Sequence, residues 1–224
     1  MSGSGKGSLL LLLLLSGLLL WKNVASQTNC PEDSSCWVCC LCLMDKAFNQ
    51  FQNLRNYSLG LFLEFHNHYF PGSLFIMRNW SNCHTYSTSI PAEENQLLQM
   101  QSQDIVKLII RMLQSWNEPL YHFQIEASHL TGFPTALENK TIHAVTKSNQ
   151  LQGTLQKLAS QFVPAATDTV DSAAGIEVAS LQSTTEKSRW LSFYYMFLCL
   201  NKDVHRIHKY FTFLQGQVIY RGSC

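Results

Sequence analysis

The side chains in this chain best suited to chemistry are its cysteines and histidines. Cys36, Cys39 and Cys42 recur at every third residue. Zinc and iron–sulfur sites use that spacing, but they complete the ligand set with a second matched Cys or His group, and none follows. A thioredoxin-like redox motif would need strand–helix–strand surroundings, which the sequence lacks. The simpler reading is a small local disulfide between Cys30 and Cys36, which flank the turn-forming stretch PEDSS, with buried thiols beside it. His205 and His208 stand three apart on a helical pattern and have metal-pair spacing, although a surface histidine pair is the commoner use of it. No nucleophile elbow, zinc-protease motif or phosphate loop occurs. The expectation is a protein without catalytic site, cofactor or metal.

The cysteines have meaning only with a compartment. Lys6 precedes an apolar run from Leu9 to Leu20, interrupted by Ser16 and Gly17. Val24 and Ser26 then supply the small-residue pattern of a cleavage site, so residues 1–26 read as a removed signal peptide and Gln27 as the mature N-terminus. The apolar run is short for a bilayer span. Residues 27–224 suit a single secreted domain with a sizeable core, without membrane insertion. The formal net charge of the whole chain is +1, and loss of Lys6 and Lys22 brings it to about −1, with no basic patch calling for nucleic acid or heparin. All 8 cysteines remain, and outside the cell some should pair. Three N-x-S/T sequons, at Asn56, Asn79 and Asn139, fit glycosylation.

Long amphipathic helices must position these residues. From Lys187 to Tyr220 the apolar side chains Leu191, Tyr194, Leu198, Val204, Ile207, Phe211 and Leu214 fall mostly three or four apart. Met44, Phe48, Phe51, Leu54, Ser58, Leu61 and Phe65 do the same in a first helix ending before Pro71-Gly72. A second opens with Ser102 as expected N-cap and carries Ile105, Leu108, Ile109, Met112, Leu113 and Trp116. Pro119 should kink it before Leu120 and Phe123. After a break at Thr131-Gly132, Pro134 begins a third helix with Ile142, Val145, Leu151, Leu155, Leu158 and Phe162. The links are long, short and long. A short link allows only an antiparallel neighbour, whereas a long one can return to the starting end. The expected fold is therefore an all-α, up-up-down-down four-helix bundle with two crossover loops. No strand–helix alternation supports an α/β enzyme.

Three segments then carry a resemblance. Ser115–His122 (SWNEPLYH), Asn82–Thr85 (NCHT) followed by Pro91, and Cys199–Asp203 (CLNKD) with Tyr210 downstream are similar to motifs of the prolactin and growth hormone family. The likeness is greatest to the prolactin branch and its placental members. The resemblance implies a disulfide from Cys83 to Cys199, and gives Cys30–Cys36 as a prolactin-branch feature. Two departures stand out. Cys224 matches one half of the family's C-terminal pair, but Gly216 occupies the other half. Cys39, Cys40 and Cys42 are extra.

The resemblance implies a secreted hormone that dimerises a prolactin-type cytokine receptor and signals through JAK–STAT, in placental or reproductive physiology. The first receptor site would use Arg55, Lys202, His205, Arg206, Lys209 and Tyr210. Two first-helix histidines of prolactins are replaced by Gln52 and Arg55, so their proton and zinc sensitivity is mostly lost. A second site would centre on Gly153: a mid-helix glycine costs about 1 kcal/mol against alanine, and close approach of a partner is one reason to keep it. The alternative is a bundle that has left the prolactin receptor for matrix or another carrier. Cys224, without its usual partner, would stay a thiol, link a second chain into a dimer, or reach the cysteines of the first helix.

Overall fold

The computed structural model describes residues 36–72, 83, 85, 94–129, 133–162 and 185–221, all within one unit, Ser35–Cys224. The expected signal peptide, Cys30, Asn79 and Cys224 lie outside the described residues, and so does the side chain of Cys36.

Helix α1 spans Cys36–Tyr69, α2 Glu94–Gln99, α3 Ser102–Gln114, α4 Asn117–Ser128, α5 Thr135–Phe162 and α6 Glu186–Arg221. No strand occurs among the described residues, and no helix there is long and apolar enough to cross a membrane. The apolar period of the sequence explains α1: Met44, Phe51, Leu54, Ser58, Leu61 and Phe65 are all buried. In α3 and α4 the stripe from Ile105 to Phe123 is buried throughout. α6 buries Tyr194, Leu198, Val204, Ile207, Phe211 and Leu214, but Leu191 is 37% exposed.

Side-chain contacts give the direction of each helix. Phe51 meets Phe211, and Phe65 meets Phe197, both at 5.1 Å between ring centroids. Moving forward along α1 therefore means moving backward along α6. Ser102 Oγ donates to Gln217 Oε1 (2.9 Å), while Phe123 packs on Phe197 at 4.7 Å, so α3 and α4 also run against α6. Tyr57 stacks on His143 at 5.3 Å, and Lys140 pairs with Glu64, so α5 runs against α1. The pattern is up-up-down-down, with α3 and α4 together forming the second long element.

Several expectations are corrected. Ser102 is not the N-cap: Gln101 holds that position, and Ser102 is turned inward to Gln217, whose Nε2 also donates to Met100 O (3.0 Å). The second long helix is not merely kinked at Pro119; it is divided at Ser115 and Trp116. A proline at 119 has no N–H for the carbonyl of Ser115, so the chain tightens one turn earlier, with Trp116 N donating to Leu113 O (3.2 Å). Pro119 then sits buried in the first turn of α4, where no donor is missed. In α5 Leu151, Leu155 and Leu158 are buried as expected, but Ile142 is 45% exposed, and the N-terminal part of the buried face runs through Leu137, Thr141, Ala144, Ser148 and Gln152. The first long link also contains α2, which no sustained period announced.

The thiols are corrected too. Cys40 and Cys42 are disulfide-bonded rather than free, whereas Cys39, half-buried, is a free thiol. Cys83 and Cys199 form a bridge with Cα atoms 5.4 Å apart, and both are buried. It spans a sequence separation of 116, and the chain-entropy account gives such a loop about 4–5 kcal/mol. Replacing Cys83 and Cys199 together by alanine should lower the unfolding free energy by about that amount, measured by urea denaturation. A loss below about 1 kcal/mol would place the stabilisation in packing alone.

Candidate functional site

The three segments that carry the sequence resemblance meet at one side chain. Asp203, on α6, is 0% exposed. Thr85 Oγ1 donates to its Oδ2 at 2.7 Å, Trp116 Nε1 donates to the same oxygen at 3.1 Å, and Arg206 donates to Oδ1 at 3.3 Å. Thr85 comes from the first long link, Trp116 from the junction of α3 and α4, and Arg206 from the next turn of α6. One turn before Asp203, Cys199 is bonded to Cys83. A carboxylate accepting three donors satisfies the rule that buried charge must be paired.

Burial nevertheless dominates its titration. Desolvation raises the Asp203 carboxyl above its ordinary value, against the lowering effects of Thr85, Arg206, Trp116 and Lys202. Tyr210 is raised as well, chiefly by burial, with Arg206 lowering it and Asp203 adding to the rise.

Above this buried pivot lies a cationic cleft of about 480 Å³ between α1 and α6, lined by Arg55 and Leu59 from α1 and by Asn201, Lys202, Val204, His205, Arg206 and Lys209 from α6. Five of the six residues expected at the first receptor site thus share one cleft. Tyr210 does not join them: it is 3% exposed and faces the core. Leu59, Asn201 and Val204 were not foreseen. Leu59 had a signal, since it follows Arg55 by four residues, the spacing that places two side chains on one helical face.

His205 and His208 separate. His205 is exposed at the cleft, while His208 packs against Phe51 at 5.8 Å and Phe48 at 6.5 Å between ring centroids. Burial, then Arg55 and His205, lower the His208 pKa.

Gly153 lies on the outer side of α5. A Cβ there would meet no atom within 4 Å, so the position is open. Gly216 is equally open, inside the continuous α6. Asn56 and Asn139 are exposed on α1 and α5, while the hydroxyl residues of their sequons, Ser58 and Thr141, are buried. Ser58 Oγ donates to Arg55 O, and Thr141 Oγ1 to Leu137 O.

The Asp203 geometry sets a pH test. A raised folded-state pKa means that the folded protein holds this proton to higher pH than the unfolded chain does. Ionisation then costs stability, progressively, as pH rises above 3.8 through the raised value. The stability of the native protein relative to Asp203→Asn should therefore fall as pH rises across that window, in thermal melts recorded as a pH series. A difference that is flat or grows with pH would mean that the three donors outweigh burial. Against known families, the model of the somatotropin hormone family matches residues 13–224.

Proposed function

The chain belongs to the somatotropin hormone family, and on that premise we propose that it is a secreted, cytokine-like hormone of the prolactin branch that acts on a type I cytokine receptor. The observation that supports this most is the gathering of Arg55, Lys202, His205, Arg206 and Lys209 at one cleft of α1 and α6. A rim of cations beside the apolar Leu59 suits a receptor face that offers carboxylates around a hydrophobic contact. Gly153 is the proposed second contact, because its open, side-chain-free position lets another backbone approach closely. Two receptors held in this way would signal through JAK–STAT, in placental or reproductive tissue. In the same reading residues 1–26 are removed on export, and Asn56, Asn79 and Asn139 carry glycans.

Titration of the secreted glycoprotein against a prolactin receptor ectodomain tests the first site. Binding should weaken at least about tenfold in Arg55→Glu with Lys209→Glu, and should lose much of its salt dependence, as expected when rim charges steer association. No binding by the native protein at micromolar concentration would overturn the receptor reading. Retention on heparin or matrix in that case would favour a carrier-binding bundle.

The second site has its own test. Gly153→Arg should fold normally, since nothing occupies the space beside it, and should form a one-to-one receptor complex while failing to recruit a second receptor, as read by light scattering. Normal two-to-one assembly would show that the second contact lies elsewhere.

A further inference from the structure

Arg206 belongs both to the cleft wall and to the buried network beneath it. Its side chain is 33% exposed, whereas that of Asp203, to which Arg206 Nη1 donates at 3.3 Å, is fully buried. A guanidinium is planar and carries its five N–H donors in a fixed fork. Holding Nη1 on Asp203 Oδ1 therefore orients the whole fork, including the part that reaches the cleft.

The carboxylate would not keep that aim by itself, because the terminal torsion of an aspartate is soft and roughly two-fold. Here two donors from two separate elements share Oδ2. Thr85 Oγ1 comes from the first long link at 2.7 Å, and Trp116 Nε1 from the junction of α3 and α4 at 3.1 Å. With Oδ2 pinned on their side, Oδ1 is turned toward Arg206, three residues on. Thr85 is buried, and two residues before it Cys83 is bonded to Cys199, one turn ahead of Asp203. The hydroxyl is thus held in place by its own anchor. We infer that Thr85 is a positioning residue for the cleft: acting through Asp203, its hydroxyl fixes the Arg206 guanidinium at the cleft wall. The consequence for a receptor rests on the function proposed above; the geometry does not.

Charge supports the same chain of contacts. Thr85 and Trp116 favour the ionised form of Asp203, as do Arg206 and Lys202 on α6, against the burial that raises its pKa. Tyr210, also on α6, is itself raised by Asp203. The link and the junction bring uncharged donors, and the cation that α1 brings to the cleft is Arg55. Without the Thr85 hydroxyl the carboxyl would keep its proton to higher pH, and a neutral Asp203 gives up the ion pair that holds Arg206. Acidification should therefore loosen Arg206, and loss of the hydroxyl should move that loosening toward neutral pH.

The experiment compares the native disulfide-bonded protein with Thr85→Val, which keeps the shape of the side chain and removes the donor, and with Thr85→Ser, which restores the donor. Two quantities are followed across a pH series. One is the Arg206 Nε–H signal in heteronuclear NMR spectra, assigned by its disappearance in Arg206→Lys. The other is affinity for a prolactin receptor ectodomain. Thr85→Val should displace the Arg206 signal, raise the pH at which it moves, and weaken receptor binding roughly two- to thirtyfold, the range for side chains that modulate a site without touching its ligand. Thr85→Ser should follow the native protein in both. In an Arg206→Ala background Thr85→Val should cost no further affinity, the non-additivity expected within one network. Asp203→Asn leaves Thr85 in place and should abolish the pH-dependent movement of the Arg206 signal. An Arg206 signal unmoved by Thr85→Val in a protein that still melts cooperatively would overturn the inference. So would the same pH-dependent movement in Asp203→Asn, or an equal loss of affinity with and without Arg206. A native protein that binds no receptor, with an Arg206 signal that still follows Thr85, would sink the receptor reading and uphold the positioning.

Discussion

The structure depends on one buried carboxylate. Asp203 is fully removed from solvent and bonded by Thr85, Trp116 and Arg206. Removing any of these donors leaves a lone pair facing a low-dielectric interior, which typically costs about 1–3 kcal/mol. The arrangement also fixes position. Thr85 holds the first long link against α6, Trp116 holds the junction of α3 and α4, and the Cys83–Cys199 bridge fastens the same link one turn away. A loop, a helix break and a helix are thereby registered at a single point.

That point lies under the cationic cleft. Lys202, His205 and Arg206 are neighbours of Asp203 in the sequence and line the cleft above it. Arg206 serves both layers, since it donates to Asp203 and contributes to the cleft wall. Tyr210, beneath, is coupled electrostatically to both Arg206 and Asp203. The cleft is thus held from below by a polar network and from the side by the aromatic packing of Phe48 and Phe51 against His208 and Phe211.

Much of the fold was legible in the sequence, and particular residues show where legibility ended. The faces of α1, α3, α4 and α6 are marked by large apolar side chains, so their period is plain. The face of α5 is not, because Thr141, Ala144, Ser148 and Gln152 form much of its buried side. Their polar atoms are satisfied locally, Gln152 donating to Ser148 and to Asn117 on α4, and a reading based on hydrophobic period passes over them toward the exposed Ile142. Ser102 has the residue type of an N-cap, but its partner is distant in sequence, at Gln217. Pro119 was read as the site of a kink, while the cost of its missing donor is met at the turn before it. At the cleft, Arg55, Lys202, His205, Arg206 and Lys209 were grouped by the family resemblance, since charge and period alone show only exposed polar faces on two helices. Tyr210 came with the same resemblance, but its side chain is buried, and no local pattern in the sequence marks it as facing the core.

The up-up-down-down order also has a consequence for the timing of synthesis. α6 leaves the ribosome after the other described helices, yet it supplies Cys199, Asp203, Gln217 and the rings that cover Phe51, Phe65 and Phe123. α1 and α5 can associate earlier, but the core they face stays open until α6 arrives, and transiently exposed aromatic surface of that kind is prone to aggregation. During that interval the hydroxyls of Ser58 and Thr141, both enclosed in the finished bundle, are not yet covered. Any modification of Asn56 or Asn139 that has to engage those hydroxyls is thereby confined to the interval before the last of these helices docks.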